Sequence, residues 1–103
     1  MTPTRAEFHV LLALRQSPRH GYGVMQDVEE LSDGQVRLGP GTLYTAIKRL
    51  LAAGLIAECE ADAERRRCYR LTRKGKTVAA EEAQQLSHLV QVARKRGLLP
   101  STS

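Results

Sequence analysis

The segment from Gly39 to Thr72 carries the side chains whose types and spacing point most clearly to a ligand. It contains the run Arg65-Arg66-Arg67, and seven basic residues with no acidic one lie between residues 65 and 76. Guanidinium groups bind phosphate oxygens through charge-assisted hydrogen bonds. The whole chain is also basic, with 16 Lys plus Arg against 11 Asp plus Glu. These features favour an acidic partner such as nucleic acid or an anionic membrane.

A predicted helix opens this segment at Gly39-Pro40-Gly41 and ends at Gly54. Proline suits the first helical position, which needs no N–H. The apolar stripe of this helix consists of Leu43, Ile47, Leu50 and Leu51, and the opposite face consists of Gly41, Thr42, Thr45, Lys48, Arg49 and Ala52. Such a helix fits the DNA major groove, where hydroxyl and basic side chains reach base edges and phosphates. The alternative is a helix face that merely contacts solvent.

A predicted hairpin follows the helix. Leu55 to Glu60 and Arg67 to Leu71 are short extended runs around a charged tip. Arginine in such a tip commonly enters the minor groove or contacts its phosphates. Asp62 and Glu64 partly neutralise the tip, so a solvent-facing role is the alternative. The helix and the hairpin together predict duplex DNA as the partner more strongly than either does alone.

Two further helices are predicted before this segment. Thr4 to Glu7 has the form of a capping box, and a helix should run from there to about Gln16. Apolar residues cover most of its circumference, which indicates burial either wholly in the core or partly against a second subunit. Residues 17–21 read as a turn. A second helix with Val24, Val28 and Leu31 ends at Asp33-Gly34, and residues 35–38 form a short extended strand.

A long last helix is predicted from a cap at Thr72 to about Arg96. Its apolar residues have the 4-3-4-3 spacing of a coiled-coil seam and are Ala79, Ala83, Leu86, Val90 and Ala93, with Leu89 and Val92 beside them. A single seam on so long a helix needs something to pack against. We favour a second copy of the chain over packing on the first helix.

The element order predicts a mainly α (α+β) fold: a winged helix-turn-helix with a long C-terminal dimerisation helix. We divide the 103 residues into a winged-helix DNA-binding domain, 1–71, and a dimerisation helix with a short tail, 72–103. The predicted dimer contacts are Phe8, Leu11, Ala83, Leu86, Leu89, Val90 and Ala93. We expect a cytoplasmic protein, since the sequence shows neither a signal peptide nor a membrane span.

These residues resemble the PadR family of transcriptional regulators, in its short form, over nearly the whole chain. The resemblance is carried by His20-Gly21-Tyr22-Gly23, Leu38-Gly39-Pro40-Gly41-Thr42-Leu43-Tyr44, Lys48-Arg49-Leu50, Gly54-Leu55-Ile56 and the stretch from Arg65 to Gly75. It implies a homodimeric repressor of a pseudo-palindromic operator, released in many cases by a small-molecule effector. The DNA contacts it implies are Tyr22, Thr42, Tyr44, Lys48 and the arginines Arg65, Arg66 and Arg67. Tyr44 could instead pack against the wing, which is the predicted hairpin from Leu55 to Leu71.

Other kinds of site find little support in the sequence. His9, His20 and His88 are scattered, so we expect no catalytic residues, no metal and no cofactor. Alternation from Leu55 places Cys59 on the inward face and Cys68 on the other, which disfavours a disulfide; if Ile56 is the inward residue, the two cysteines could face each other. The alternative functions are a protein-interaction module without DNA binding and a thiol-based redox-sensing regulator.

Overall fold

The computed structural model describes residues 1–60 and 66–100. Its helices are α1 (Arg5–Gln16), α2 (Gly21–Leu31), α3 (Pro40–Ala52) and α4 (Arg73–Lys95), and its strands are β1 (Arg19–His20), β2 (Ile56–Cys59) and β3 (Cys68–Leu71). The predicted capping box is present, because Thr4 Oγ1 accepts from the Glu7 amide at 3.1 Å and Glu7 Oε1 accepts from the Thr4 amide at 2.8 Å. Three helices followed by a hairpin and a long helix confirm the predicted fold class.

The hydrophobic core lies between the first three helices and the sheet. Apolar residues recur at helical spacing, so each helix buries one stripe. The buried apolar residues are Val10, Leu11, Ala13, Leu14, Val24, Val28, Leu38, Leu43, Ala46, Ile47, Leu50, Leu55, Ile56 and Tyr69. This core fixes α3 with its opposite, polar face toward solvent.

The sheet has the antiparallel order β1-β3-β2, and its third strand is not where the sequence placed it. Residues 35–38, predicted as extended, form no strand, whereas β1 lies inside the stretch predicted as a turn. The reason is Arg19, whose Nε donates to the Ala13 carbonyl at 3.1 Å and whose Nη2 lies 3.5 Å from Asp27 Oδ1. These contacts hold the chain beside α1, where Arg19 pairs with Tyr69.

The hairpin register corrects the prediction about the cysteines. Ile56 and Tyr69 are buried on the inward face, and Cys59 lies directly opposite Cys68 on the other face, where a disulfide joins them. The parity argument failed because Leu55 precedes the strand: its amide donates to the Leu50 carbonyl and belongs to the end of α3. Counting from Ile56 gives the observed faces.

The junction between α3 and α4 is closely packed. The Thr72 hydroxyl accepts from the Gly75 amide and donates to the Gly54 carbonyl at 2.7 Å, while Lys74 Nζ donates to the Ala53 carbonyl at 2.9 Å. These bonds satisfy carbonyls that the end of α3 leaves without a helical partner. A Cβ on Gly75 would overlap the Leu55 carbonyl, so α4 can approach this closely only with glycine there.

Beyond this junction α4 extends along a molecule whose longest dimension is 51 Å. Val78 and Ala79 still pack against the core, but the apolar side chains after them are largely exposed. The first turns of α4 thus contact the winged-helix core. The domain boundary at residue 72 stays a prediction. No helix in the described ranges is both long and apolar enough to cross a membrane.

Candidate nucleic-acid interface

The outer face of α3 is the centre of the candidate interface. The predicted contact residues on this helix are all exposed: Gly41, Thr42, Tyr44, Thr45, Lys48 and Arg49. At about 100° per residue, Gly41, Thr45 and Lys48 lie opposite the buried stripe. Tyr44 lies on one flank of that face, and Thr42 and Arg49 lie on the other. The face therefore has a small, polar centre with different chemistry on its two sides.

One flank forms a cleft with α2 and the wing, which we call the wing cleft. It has a volume of about 360 Å³ and is lined by His20, Gly21, Tyr22, Met25, Pro40, Leu43, Tyr44, Ile47, Arg66, Arg67 and Tyr69. Tyr22 is 66% exposed and Tyr44 is 61% exposed. The structure thus brings together four predicted DNA contacts, Tyr22, Tyr44, Arg66 and Arg67, from three separate segments.

The two described wing arginines, Arg66 and Arg67, are exposed. Arg67 Nη1 lies 3.7 Å from Glu58 Oε1, and both side chains are more than half exposed, so this ion pair leaves the guanidinium accessible. Burial raises the pKa of Tyr69, and a hydrogen bond from Arg67 opposes that shift. Arg65 lies outside the described residues.

The other flank of α3 faces the start of α1. Gly41, Thr42, Thr45 and Arg49 line a cleft there with Thr4, Ala6, Glu7 and Ala46. Arg49 Nη1 lies 3.3 Å from Glu7 Oε2, and the Glu7 side chain is 2% exposed. A buried carboxylate requires a cation or hydrogen-bond donors. Arg49 therefore has a structural partner within the chain as well as an exposed position.

The sequence contained a signal for this ion pair that the prediction missed. Glu7, Leu11 and Leu14 follow the i, i+4, i+7 spacing of the buried stripe of α1. An acidic side chain on a buried stripe indicates a basic partner on a neighbouring element.

The predicted dimer residues divide into two groups. Leu11 is fully buried in the core of its own chain, so its assignment as a dimer contact is wrong. Leu86, Leu89 and Val90 are 42%, 60% and 39% exposed on α4. Ala83 is also exposed, while Phe8 and Ala93 are half-buried.

The predicted dimer contacts did not include Leu12, which is 39% exposed. Leu12 lines a groove of about 370 Å³ between α1 and α4, together with Phe8 and Leu86. The i, i+4 spacing of Phe8 and Leu12 was the available signal for a second apolar stripe on α1.

No group of three or more His, Cys, Asp or Glu residues within the described ranges, 1–60 and 66–100, could hold a metal ion. His9 Nδ1 lies 2.7 Å from the Arg5 carbonyl, and His88 lies on the exposed part of α4.

A family model and two relatives match most of this chain. The model of the "Transcriptional regulator PadR-like family" matches residues 10–81. Transcriptional regulator Rv3488 of Mycobacterium tuberculosis is 34% identical over 85 residues, which cover 81% of this chain and 77% of that protein. An uncharacterized 37.1 kDa protein in transposon Tn4556 of Streptomyces fradiae is 37% identical over 89 residues, 86% of this chain. The chain spans about a quarter (25%) of that protein's length.

Solved structures show the same fold. A PadR family transcription regulator from Clostridium difficile superposes with a TM-score of 0.77 at 22% identity, covering 89% of this chain and 97% of that one. The DNA binding of Bordetella bronchiseptica BpsR is regulated by 6-hydroxynicotinic acid. BpsR superposes with a TM-score of 0.73 at 28% identity, covering 96% of this chain and 70% of that one. The chain therefore belongs to the PadR-like family of transcriptional regulators.

Proposed function

We propose that this regulator is a homodimeric repressor that places α3 in the major groove of DNA and contacts the adjacent phosphates with its wing. The observation that carries the proposal is the arrangement around the wing cleft. Tyr22, Tyr44, Arg66 and Arg67 converge on it from three segments, beside the exposed α3 face. In winged helices the recognition helix contacts base edges, and flanking phosphate contacts fix its position on the duplex.

Gly41 supports close approach of α3 to DNA. A Cβ added at this residue would have no neighbouring atom within 4 Å, so the fold does not require glycine here. Glycine in a helix costs stability relative to alanine. The absence of a side chain near the start of α3 is therefore better explained by a backbone that must lie against its ligand. Thr45 and Lys48 follow on the same face.

The dimer in this proposal forms through α4 with help from α1. Leu86, Leu89 and Val90 are exposed on α4, and Phe8 and Leu12 lie across a groove from Leu86. A second copy would cover these apolar side chains, which water otherwise contacts at a cost. Two-fold symmetry would then present two α3 helices to two half-sites of a pseudo-palindromic operator.

Repression and effector response complete the proposal. A dimer that occupies an operator blocks access to the promoter region. The DNA binding of BpsR is regulated by a small molecule, 6-hydroxynicotinic acid. By that likeness we include release of this chain from DNA by a small-molecule effector.

The salt dependence of DNA binding tests the DNA-binding part of the proposal. Affinity of the full chain for duplex DNA should fall steeply with salt, because each neutralised phosphate releases counterions. Lys48→Ala and Arg66→Ala should each reduce the slope of log affinity against log salt by about 1. Lys95→Ala, at the far end of α4, removes the same charge as a control and should leave the slope unchanged. A wild-type chain without salt-dependent binding would contradict the proposal.

A further inference from the structure

We propose that Cys59 and Cys68 form a reversible oxidation site whose state sets the affinity of the wing for DNA. The two residues are paired across β2 and β3, their Cα atoms are 5.0 Å apart, and a disulfide joins them. A Cα separation in this range lets the bond form and break without moving the strands apart. The proposal rests on the DNA-binding function proposed above, since it concerns control of the same surface.

The position of the pair favours regulation over a role in holding the core together. Both cysteines lie on the outward face of the hairpin and are half-buried, and neither belongs to the hydrophobic core. Ile56 and Tyr69 fill the inward face instead. Small domains need structural disulfides when their core is insufficient, whereas accessible disulfides are the ones that reductants break.

The disulfide lies at the end of the β2–β3 ladder that is nearest to Arg66 and Arg67. Cys59–Cys68 is the terminal pair of the β2–β3 ladder, and Arg66 and Arg67 lie between the two cysteines in sequence. When the disulfide is broken, the end of a short antiparallel ladder has only backbone hydrogen bonds and side-chain packing to hold it, and such ends are marginally stable in water. In the oxidised form the disulfide holds the ends of β2 and β3 at a fixed separation, directly beside Arg67 and Arg66 in sequence.

The same position connects the wing to α2. Cys68 pairs with Cys59 on one side and with His20 of β1 on the other, so it is the middle residue of a three-strand row. Gly21 and Tyr22 begin α2 immediately after β1. A change in the order of β3 therefore reaches both sides of the wing cleft.

The chemistry balances with hydrogen peroxide as oxidant. One thiolate attacks a peroxide oxygen, the O–O bond breaks, and a sulfenic acid and hydroxide form. The second thiolate attacks the sulfenic sulfur, forms the S–S bond and releases a second hydroxide; the two hydroxides take up the two thiol protons to give water. Sulfur loses two electrons and the peroxide gains them. A dithiol reductant returns two electrons by thiol–disulfide exchange and becomes a disulfide itself.

The first measurement addresses the chemistry. The full chain is treated with hydrogen peroxide or with dithiothreitol, and free thiols are then alkylated and located by mass spectrometry. We expect both cysteines to be alkylated after dithiothreitol and neither after peroxide, with a mass that shows a disulfide between them. A thiol at either position that stays open to alkylation after peroxide would overturn the proposal.

The second measurement addresses DNA binding. Oxidised wild-type chain should bind duplex DNA about tenfold more tightly than reduced chain, the effect of about one charge-assisted contact. The Cys59→Ser/Cys68→Ser variant should bind like the reduced form and respond to neither reagent, and its unchanged circular dichroism would show that it folds. DNA binding that is equal in both states would overturn the switch alone. Absence of binding in both states would contradict the proposed function, and with it the control of affinity.

Hydrogen exchange tests whether the disulfide affects DNA binding by ordering the wing. Amides of Glu58 and Tyr69 should exchange faster in the reduced chain, while those of Val24 and Leu50 in the core should keep their protection. Equal exchange rates at Glu58 and Tyr69 in the oxidised and reduced chains would contradict the claim that the disulfide orders the wing.

Discussion

Arg49 of α3 and Glu7 of α1 form an ion pair, with Arg49 Nη1 3.3 Å from Glu7 Oε2. The other oxygen of the same carboxylate accepts the Thr4 amide of the capping box. Glu7 therefore joins the start of α1 to the last turns of α3, and Arg49 neutralises a carboxylate that the fold has buried. This relationship gives two neighbouring basic residues of α3, Lys48 and Arg49, different roles.

We predict that Arg49→Ala destabilises the fold and that Lys48→Ala does not. Removing Arg49 leaves the Glu7 carboxylate without its cation, which should cost about 1–2 kcal/mol in the free energy of unfolding; this is below the cost for a fully buried pair, because the exposed half of Arg49 is screened by water. Lys48→Ala should change stability by less than about 0.5 kcal/mol. Urea unfolding of both variants measures the difference, and equal stabilities would contradict the structural role of Arg49.

Gly75→Ala and Gly41→Ala are a second pair of variants with opposite expected effects on stability. Gly75→Ala places a methyl group against the Leu55 carbonyl, and α4 must shift, so we expect a loss of about 2–4 kcal/mol. Gly41→Ala meets open space in a helix and should raise stability by up to about 0.5 kcal/mol. Thermal unfolding tests both.

The two glycine variants should also differ in DNA binding when measured well below their unfolding temperatures. Gly41→Ala should weaken binding although it folds, because its methyl group enters the space between α3 and the DNA. A Gly41→Ala variant with wild-type affinity would show that the backbone of α3 does not approach DNA at this residue.

Substitution of two leucines at different locations tests the proposed dimer surface. Leu89→Glu puts a charge on the exposed apolar face of α4, and we expect a monomer near 11.4 kDa by light scattering. Leu31→Glu changes an equally apolar side chain, 41% exposed at the end of α2, and should leave the dimer intact. A Leu89→Glu chain that stays dimeric would place the interface elsewhere.

Thr42 and Arg66 should affect DNA binding in different ways. Thr42→Ala removes a hydroxyl near the start of α3 and should change which sequences are preferred, because base contacts carry specificity. Arg66→Ala should weaken binding to all sequences by a similar factor, because phosphate contacts do not depend on sequence. Competition between several duplexes distinguishes the two patterns, and uniform weakening by Thr42→Ala would contradict its role in reading bases.

Periodicity and end signals were enough to predict most of this fold. The cap at Thr72, the proline at the start of α3 and the buried stripe through Leu43, Ile47 and Leu50 all act within a few residues along the chain. Local signals of this kind can be read directly from a sequence.

The features that sequence reasoning missed depend on contacts between distant segments. Strand β1 exists because Arg19 is held by α1 and α2. The faces of the hairpin depend on whether Leu55 ends α3 or begins β2, and a shift of one residue reverses every side chain. The burial of Leu11 and the pairing of Arg49 with Glu7 likewise require the packed core.

Selection of bound sequences from random duplex DNA tests the central claim most directly. A homodimer that reads DNA with two α3 helices should enrich an inverted repeat whose half-sites are centred about 10 base pairs, one helical turn, or a multiple of that apart. The Leu89→Glu chain should lose this enrichment or retain single half-sites. Recovery of no enriched motif by the wild-type chain, in either its oxidised or its reduced state, would contradict the account.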